Sequence, residues 1–329
     1  MQPKWHIAFC NVTFTEYAGV SYRDYYGSPA VMLEAQLAAQ AVAEERWGVG
    51  RFIRPHIDSP PCTFASFLGA PVVEPQEDEL PYVDPARPLL TDVRQGAKLR
   101  AGDPRRDGWM ARRWEAREYY QAHGYPSRLG GYDGGIITTA CELSSGNALA
   151  WLAEDPDAAE RMLDALVAAT ETLATFDASL SGGTYAGLAY VGDDFSGLLS
   201  PAMFRRFAVP CYQRLYAGQE RRFMHSELLR AEHLRIARDE VGITEFHGAG
   251  CKNLTVQQMQ EIMGSAFWTQ VTPQELQELT PRALTELIKT YAGSGCSYVQ
   301  LYPGRGVPPQ NMDAAIAAVQ RECPGGPAW

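Results

Sequence analysis

Short runs rich in β-branched and aromatic residues alternate with longer amphipathic stretches along this chain, and that alternation limits the possible folds more than any other feature. Strands separated by helical crossovers pair in parallel, and a parallel sheet needs helices over its faces. Strand-like runs fall at residues 5–14, 49–57, 134–143, 184–194, 221–226, 243–247, 266–271 and 297–303. Eight is the number that a closed (β/α)8 barrel uses. The expected fold class is therefore α/β, a single (β/α)8 TIM barrel spanning residues 1–329, in which the run at 297–303 pairs with the run at 5–14. A doubly wound open sheet would produce a similar pattern. Against it, no GxGxxG segment and no phosphate-binding GxxxxGKS or GxxxxGKT segment follows a strand.

Helix starts are well signalled. Ser28-Pro29 and Ser200-Pro201 each offer a capping hydroxyl followed by a proline at the first helical position, where its missing N–H costs nothing. Thr272-Pro273-Gln274-Glu275 has the Thr-to-Glu spacing of a capping box. Residues 58–133 interrupt the alternation with a Pro- and acid-rich part, then an Arg-rich helical part, WMARRWEAREYYQAHG. This segment is expected to be an inserted lid or excursion.

With 329 residues, 46% of them hydrophobic and 21% charged, the chain can bury a large core. A formal net charge of −10 gives no general attraction to nucleic acid or anionic lipid, so the expected partner is a small molecule, with no nucleic acid and no membrane. The start of the chain lacks a signal-peptide pattern and no later run approaches a bilayer span, which predicts a cytoplasmic protein, monomeric or homodimeric. Seven cysteines (Cys10, Cys62, Cys141, Cys211, Cys251, Cys296 and Cys323) are scattered without paired spacing and read as reduced thiols.

In a barrel, reacting groups sit at the C-terminal ends of the strands. That rule selects Asn11, Arg54 with His56 and Asp58, Cys141-Glu142, Asp193-Asp194, His225 with Glu227, His247 with Cys251, Gln270, and Tyr302 with Arg305. His225 and Glu227 lie two apart at a strand end, so both side chains can point to one side and offer a nitrogen and an oxygen to one metal. The bland alternative is a hydrogen-bonded histidine beside a helix-capping glutamate. One strand later, His247 and Cys251 are candidates for the same centre, or else a loop imidazole held by backbone carbonyls and a small buried thiol. Asp193 and Asp194 suit a proton-handling role, although paired aspartates before a glycine-containing turn are also ordinary turn chemistry. Arg54 and Arg305 suit bidentate capture of a carboxylate, with Asn11, Glu142 and Tyr302 as further substrate-binding candidates. His6, His123 and His233 read as structural.

The same segments carry a resemblance. YAGVSYRDYYGSPAVMLEAQLAAQ resembles the early helical region of corrinoid-linked methyltransferases in the uroporphyrinogen decarboxylase superfamily, and LGAPVVEPQEDELPYVDPARPLL is similar to their acid-rich loop. YVGDDFSGLLSPAMFRRFAVPCYQRL and YVQLYPGRGVPPQNMDAAIAAV resemble their DD-to-SP stretch and closing PGxGxPP turn. The resemblance implies a TIM barrel and a metal-dependent methyltransferase acting on a small molecule. It also implies zinc as cofactor, and a partner corrinoid protein carrying a cobamide such as methylcobalamin. In that branch zinc is held by an H-x-C pair and a distant cysteine; carried over by position, these fall on His225, Glu227 and Arg305, so two of three depart from the pattern. The expected metal set is therefore His225 and Glu227 with His247 or Cys251. The decarboxylase itself carries an Arg-rich segment where this chain has FCNVTFTEYAG, which contains no arginine, so porphyrinogen decarboxylation is the less favoured activity. A metal-assisted lyase or decarboxylase of a small carboxylate, and a non-catalytic ligand-binding barrel, are the alternatives.

Overall fold

The structure is a computed structural model that describes residues 2–132 and 135–328. Its strands are β1 (Lys4–Ile7), β2 (Val72–Val73), β3 (Tyr82–Val83), β4 (Tyr190–Gly192), β5 (Phe223–His225), β6 (Glu245–His247), β7 (Phe267–Val271) and β8 (Tyr298–Leu301). The chain divides into two compact units, residues 1–55 with 245–329, and residues 56–244.

The first unit holds four parallel strands in the order β1-β8-β7-β6. Lys4 is opposite Tyr298 and Ile7 opposite Leu301, so the last strand pairs with the first, as the sequence predicts. Trp268 is opposite Tyr298 and His247 opposite Trp268, which stacks a row of rings across three strands. The helices follow their caps. Ser28 and Pro29 start the helix Pro29–Trp47, and Gly48, with φ of 65° that a side chain would resist, ends it. Thr272 and Glu275 close the expected capping box, the Glu275 carboxylate accepting from the Thr272 N–H at 2.8 Å.

The second unit pairs β4 with β5 in parallel, Gly192 opposite His225. Around them run the helix Gly108–Ala122, the 25-residue helix Pro156–Leu180 and a segment built from Pro201–Met203, a π-helical turn at Phe204–Ala208, and Val209–Leu215. Ser200 caps that segment as expected, accepting from the Met203 N–H at 3.2 Å. Residues 58–132, read as an excursion, form ordered structure within this unit, including the antiparallel ribbon of β2 with β3.

Two expected strands are absent among the described residues, each for a physical reason. Residues 49–57 form a 3-10 turn at Gly50–Phe52 and then irregular chain whose polar backbone groups are met by side chains instead of a ladder. Gln40 donates to the Ile53 carbonyl at 3.0 Å, Ser127 accepts from the Ile57 N–H at 3.1 Å, and buried Arg113 donates to the carbonyls of Ile57 and Asp58 at 3.2 and 2.8 Å. Residues 136–143 of the run at 134–143 are helical, Ile136–Leu143, despite their β-branched character; Gly134 lies outside the described residues. The run at 5–14 is strand only to Ile7, because Asn11–Ala18 is already helix.

Of the seven cysteines, five are buried and two, Cys10 and Cys251, are half-buried; none is in a disulfide. No helix of the described residues is long and apolar enough to cross a membrane.

Candidate active site at the ends of the fourth and fifth strands

The chain leaving β4 carries Asp193 and Asp194 in succession, and the backbone decides their fates. The Asp193 N–H donates to the His225 carbonyl at 3.0 Å, extending the β4–β5 pairing by one residue. Asp193 is fully buried. Its Oδ1 accepts from the Thr138 N–H at 3.0 Å and the Thr138 hydroxyl at 2.8 Å, while Oδ2 accepts from the Ile137 N–H at 3.0 Å and the Tyr212 hydroxyl at 2.9 Å. The carboxylate thus caps the N-terminus of Ile136–Leu143, whose own N-cap position, Gly135, has no side chain to do so. A Cβ at Gly135 would fall 2.0 Å from the Asp193 side chain, so glycine is required there. Burial pushes the Asp193 carboxyl above its ordinary range, against the pull of these donors. Both oxygens of Asp193, which the sequence offers as a proton-handling candidate, are thus occupied by donors of a helix cap.

Asp194 faces the other way. Its Oδ1 accepts from the Glu227 N–H at 2.6 Å and lies 3.9 Å from the His225 Nε2. The turn Phe195–Leu198 that follows must come close to the chain after β5: a Cβ on Gly197 would sit 2.4 Å from the Leu228 backbone. Glycine at 197 therefore lets the two strand-end loops touch and brings Asp194 to His225. The Glu227 side chain is exposed; its main chain, not its carboxylate, joins the cluster. Asp194 takes the place beside His225 that the sequence gave to Glu227.

Glu142 ends the capped helix. Its carboxyl is half-buried and pushed up to about 7, first by burial and then by Asp193. It borders a cavity of about 350 Å³ that Phe195 also lines.

In the first unit, Asn11 and Arg305 join through two tyrosines. Asn11 donates to the Tyr26 hydroxyl at 2.7 Å, Tyr26 stacks on Tyr22 at 6.5 Å between centroids, and the Arg305 guanidinium lies 5.3 Å from the Tyr22 ring centre. The closing turn is held by the Gly306 N–H on Glu16 at 2.9 Å and by the Arg305 carbonyl, which accepts from Gln277 at 2.7 Å. Tyr302, half-buried, continues β8 with its N–H on the Val271 carbonyl at 3.1 Å. Arg54 is exposed beyond the 3-10 turn. His247 ends β6 with its ring 5.6 Å from Trp268, and Cys251 sits half-buried in the next turn, with its N–H on the Gly248 carbonyl at 2.8 Å. Gln270 accepts from Gln300 at 2.9 Å and is taken up by the sheet interior.

Among the described residues no group of three or more His, Cys, Asp and Glu side chains is arranged to hold a metal ion. Of the expected zinc set, His225 and Glu227 belong to the second unit and His247 and Cys251 to the first, and the Glu227 side chain is exposed. His225 and Asp194 supply two donors, whereas zinc takes three or four protein ligands. Sequence reasoning missed Thr138 and Tyr212; Tyr22 and Tyr26 belong to the aromatic run TFTEYAGVSYRDYY, which reads as a pocket lining or as core and rim. The roles of Thr138 and Tyr212 are set by Asp193, 55 and 19 residues away, and no local pattern marks them.

A family model described as uroporphyrinogen decarboxylase (URO-D) matches residues 10–229, from the first strand end through both loops of the His225–Asp194 cluster. The chain belongs to the URO-D family. The fold class of this URO-D family member, an α/β TIM barrel, agrees with the sequence expectation. Its coordinates are similar to those of a methyltransferase from Methanosarcina mazei, with a TM-score of 0.73 over 97% of this chain and 94% of that one at 16% identity. No curated protein matches the URO-D family member.

Proposed function

We propose that the chain is a methyltransferase acting on a small molecule, with His225 as its acid-base group and Asp194 as the partner of that imidazole. The observation that carries this reading is the His225–Asp194 approach of 3.9 Å at two adjacent strand ends, where a barrel places its chemistry. The likeness to a methyltransferase over nearly the whole chain supports the choice of reaction.

In such a transfer the bond between the methyl carbon and its heteroatom breaks and a bond to an acceptor nucleophile forms. The electron pair stays on the heteroatom, which takes a proton. His225 supplies that proton and Asp194 stabilises the imidazolium before the transfer. Asp193 keeps the two loops fixed so that neither group must reorganise. Arg305, on its tyrosine stack, and Arg54 belong to the first unit and are candidates for capturing an anionic group there.

A cobamide on a corrinoid partner protein would supply the accepting nucleophile when bound. Zinc belongs to the same proposal, but the described residues do not complete its coordination, and no step is assigned to it. Elemental analysis of the purified protein tests zinc separately from activity.

The test is methyl transfer from candidate methyl ethers and methylated thiols to free cob(I)alamin, and the reverse reaction from methylcobalamin to thiols. Wild type should turn over at least one of them and His225→Ala should lose at least about 100-fold. Equal rates for the two proteins would sink the acid-base role. Decarboxylation or lysis of a small carboxylate without any methyl transfer would move the assignment to the second reading, which the family description supports. Binding without turnover of any substrate would make the barrel a ligand carrier.

A further inference from the structure

The cavity beside Glu142 lies wholly within the second unit and has an unusual lining. Its walls include Cys62, Tyr82, Cys141, Glu142, Ser145 and Phe195, with prolines and no basic residue. At about 350 Å³ it suits a small ligand. Cys62 and Cys141 are buried, and their surroundings push both thiols up to about 12, so they are neutral, polarisable walls. Ser145 is spoken for, because its hydroxyl donates to the Pro85 carbonyl at 2.8 Å. Tyr82 and Phe195, two of the most exposed large apolar residues described, stand at the rim with 46% and 37% exposure.

Glu142 is the one carboxyl group on this lining. Its carboxylate takes part in no described hydrogen bond or ion pair, and its interactions are with burial itself and with the negative charge of Asp193. The cation that acts on Cys62, Arg112, is already paired with Glu74 at 2.9 Å and stacked on Trp109 at 4.3 Å. A half-buried carboxylate repelled by a second carboxylate is relieved by a positive charge. Aromatic faces at the mouth favour a soft organic cation over a strongly hydrated metal ion. Ligands with carboxylate or phosphate groups would meet an acid and no donor cation.

We infer that this cavity is a binding site for a small organic onium compound, an alkylated ammonium or sulfonium, seated between Glu142 and the rings of Tyr82 and Phe195. The inference does not depend on the methyl-transfer reading, since it concerns binding alone. Phe195 directly follows Asp194, so an occupant would lie beside the turn that carries the His225 partner.

Isothermal titration of the full chain with choline and with its uncharged carbon isostere, 3,3-dimethyl-1-butanol, tests it. Choline should bind wild type at least about tenfold more tightly than the alcohol. Glu142→Gln should bring the two affinities together, while Phe195→Ala, a change at an exposed rim residue that leaves the core intact, should weaken choline several-fold. Circular dichroism of each variant checks the fold. Equal affinity of wild type for the two compounds, choline binding unchanged in both variants, or no choline binding at millimolar concentration would each overturn the assignment. None of these outcomes bears on whether His225 serves methyl transfer.

Discussion

Asp193 and Asp194 stand side by side after β4, yet the inner knot around the first and the open face around the second follow different rules. Asp193 is surrounded by four donors and closes a helix; Asp194 holds one backbone N–H and otherwise faces His225 across 3.9 Å. The inner knot is saturated, so changing it should cost stability. The open face has unspent capacity, so changing it should cost chemistry.

The largest expected effect tests the knot. Asp193→Ala leaves the Ile137 and Thr138 N–H groups and the Tyr212 hydroxyl buried without acceptors and should cost about 3–5 kcal/mol in denaturant melts. Asp193→Asn, which turns a donor toward donors, should fall between that variant and wild type. A loss below about 1 kcal/mol for the alanine variant would erase the distinction between the two acids. Next comes His225→Ala, whose activity loss of about 100-fold or more should be accompanied by a stability change under about 1 kcal/mol. A variant that unfolds instead would move His225 into the knot. Asp194→Asn removes the charge that favours the imidazolium but keeps an acceptor for Glu227, and should lower turnover about tenfold with the fold unchanged. An unchanged turnover would separate Asp194 from His225.

The smallest effect belongs to Glu142, which borders the knot. Its carboxyl is raised from 4.5 to about 7, so between those values the folded protein keeps a proton that the unfolded chain has lost. The stability this contributes is fully present at low pH and declines as pH rises through that window. Glu142→Gln should flatten that decline in melts recorded from pH 5 to 8. An undiminished slope would assign it to another group, with buried Asp193 the first to examine.

The later part of the chain was legible because its strands are short, apolar and bounded by capped helices. Thr272 and Ser200 each begin a helix as their sequence signals require. The earlier part was less so. Residues 136–143, IITTACEL, carry the composition of a strand, and the carboxylate that holds them helical comes from residue 193. Residues 49–57 have the apolar content of a strand, but Arg113 and Ser127 take over its backbone partners. Strand-end reasoning found His225 and both aspartates, since position along a strand is a local property. Which aspartate turns inward depends on where Thr138 and Tyr212 arrive, and that is a property of the fold.

The distribution of the thiols gives the molecule a built-in clock for its own opening. Under native conditions a brief pulse of an alkylating reagent should mark Cys10 and Cys251 and leave the other five untouched. Each of those five sits at a different place in the fold: Cys141 in the helix that Asp193 caps, Cys211 one residue before Tyr212, Cys62 in the cavity wall, Cys296 just ahead of β8 and Cys323 after the last helix. Mass spectrometry of the labelled peptides would then read the order in which these places become accessible as denaturant rises, with no engineered probe and no knowledge of the substrate.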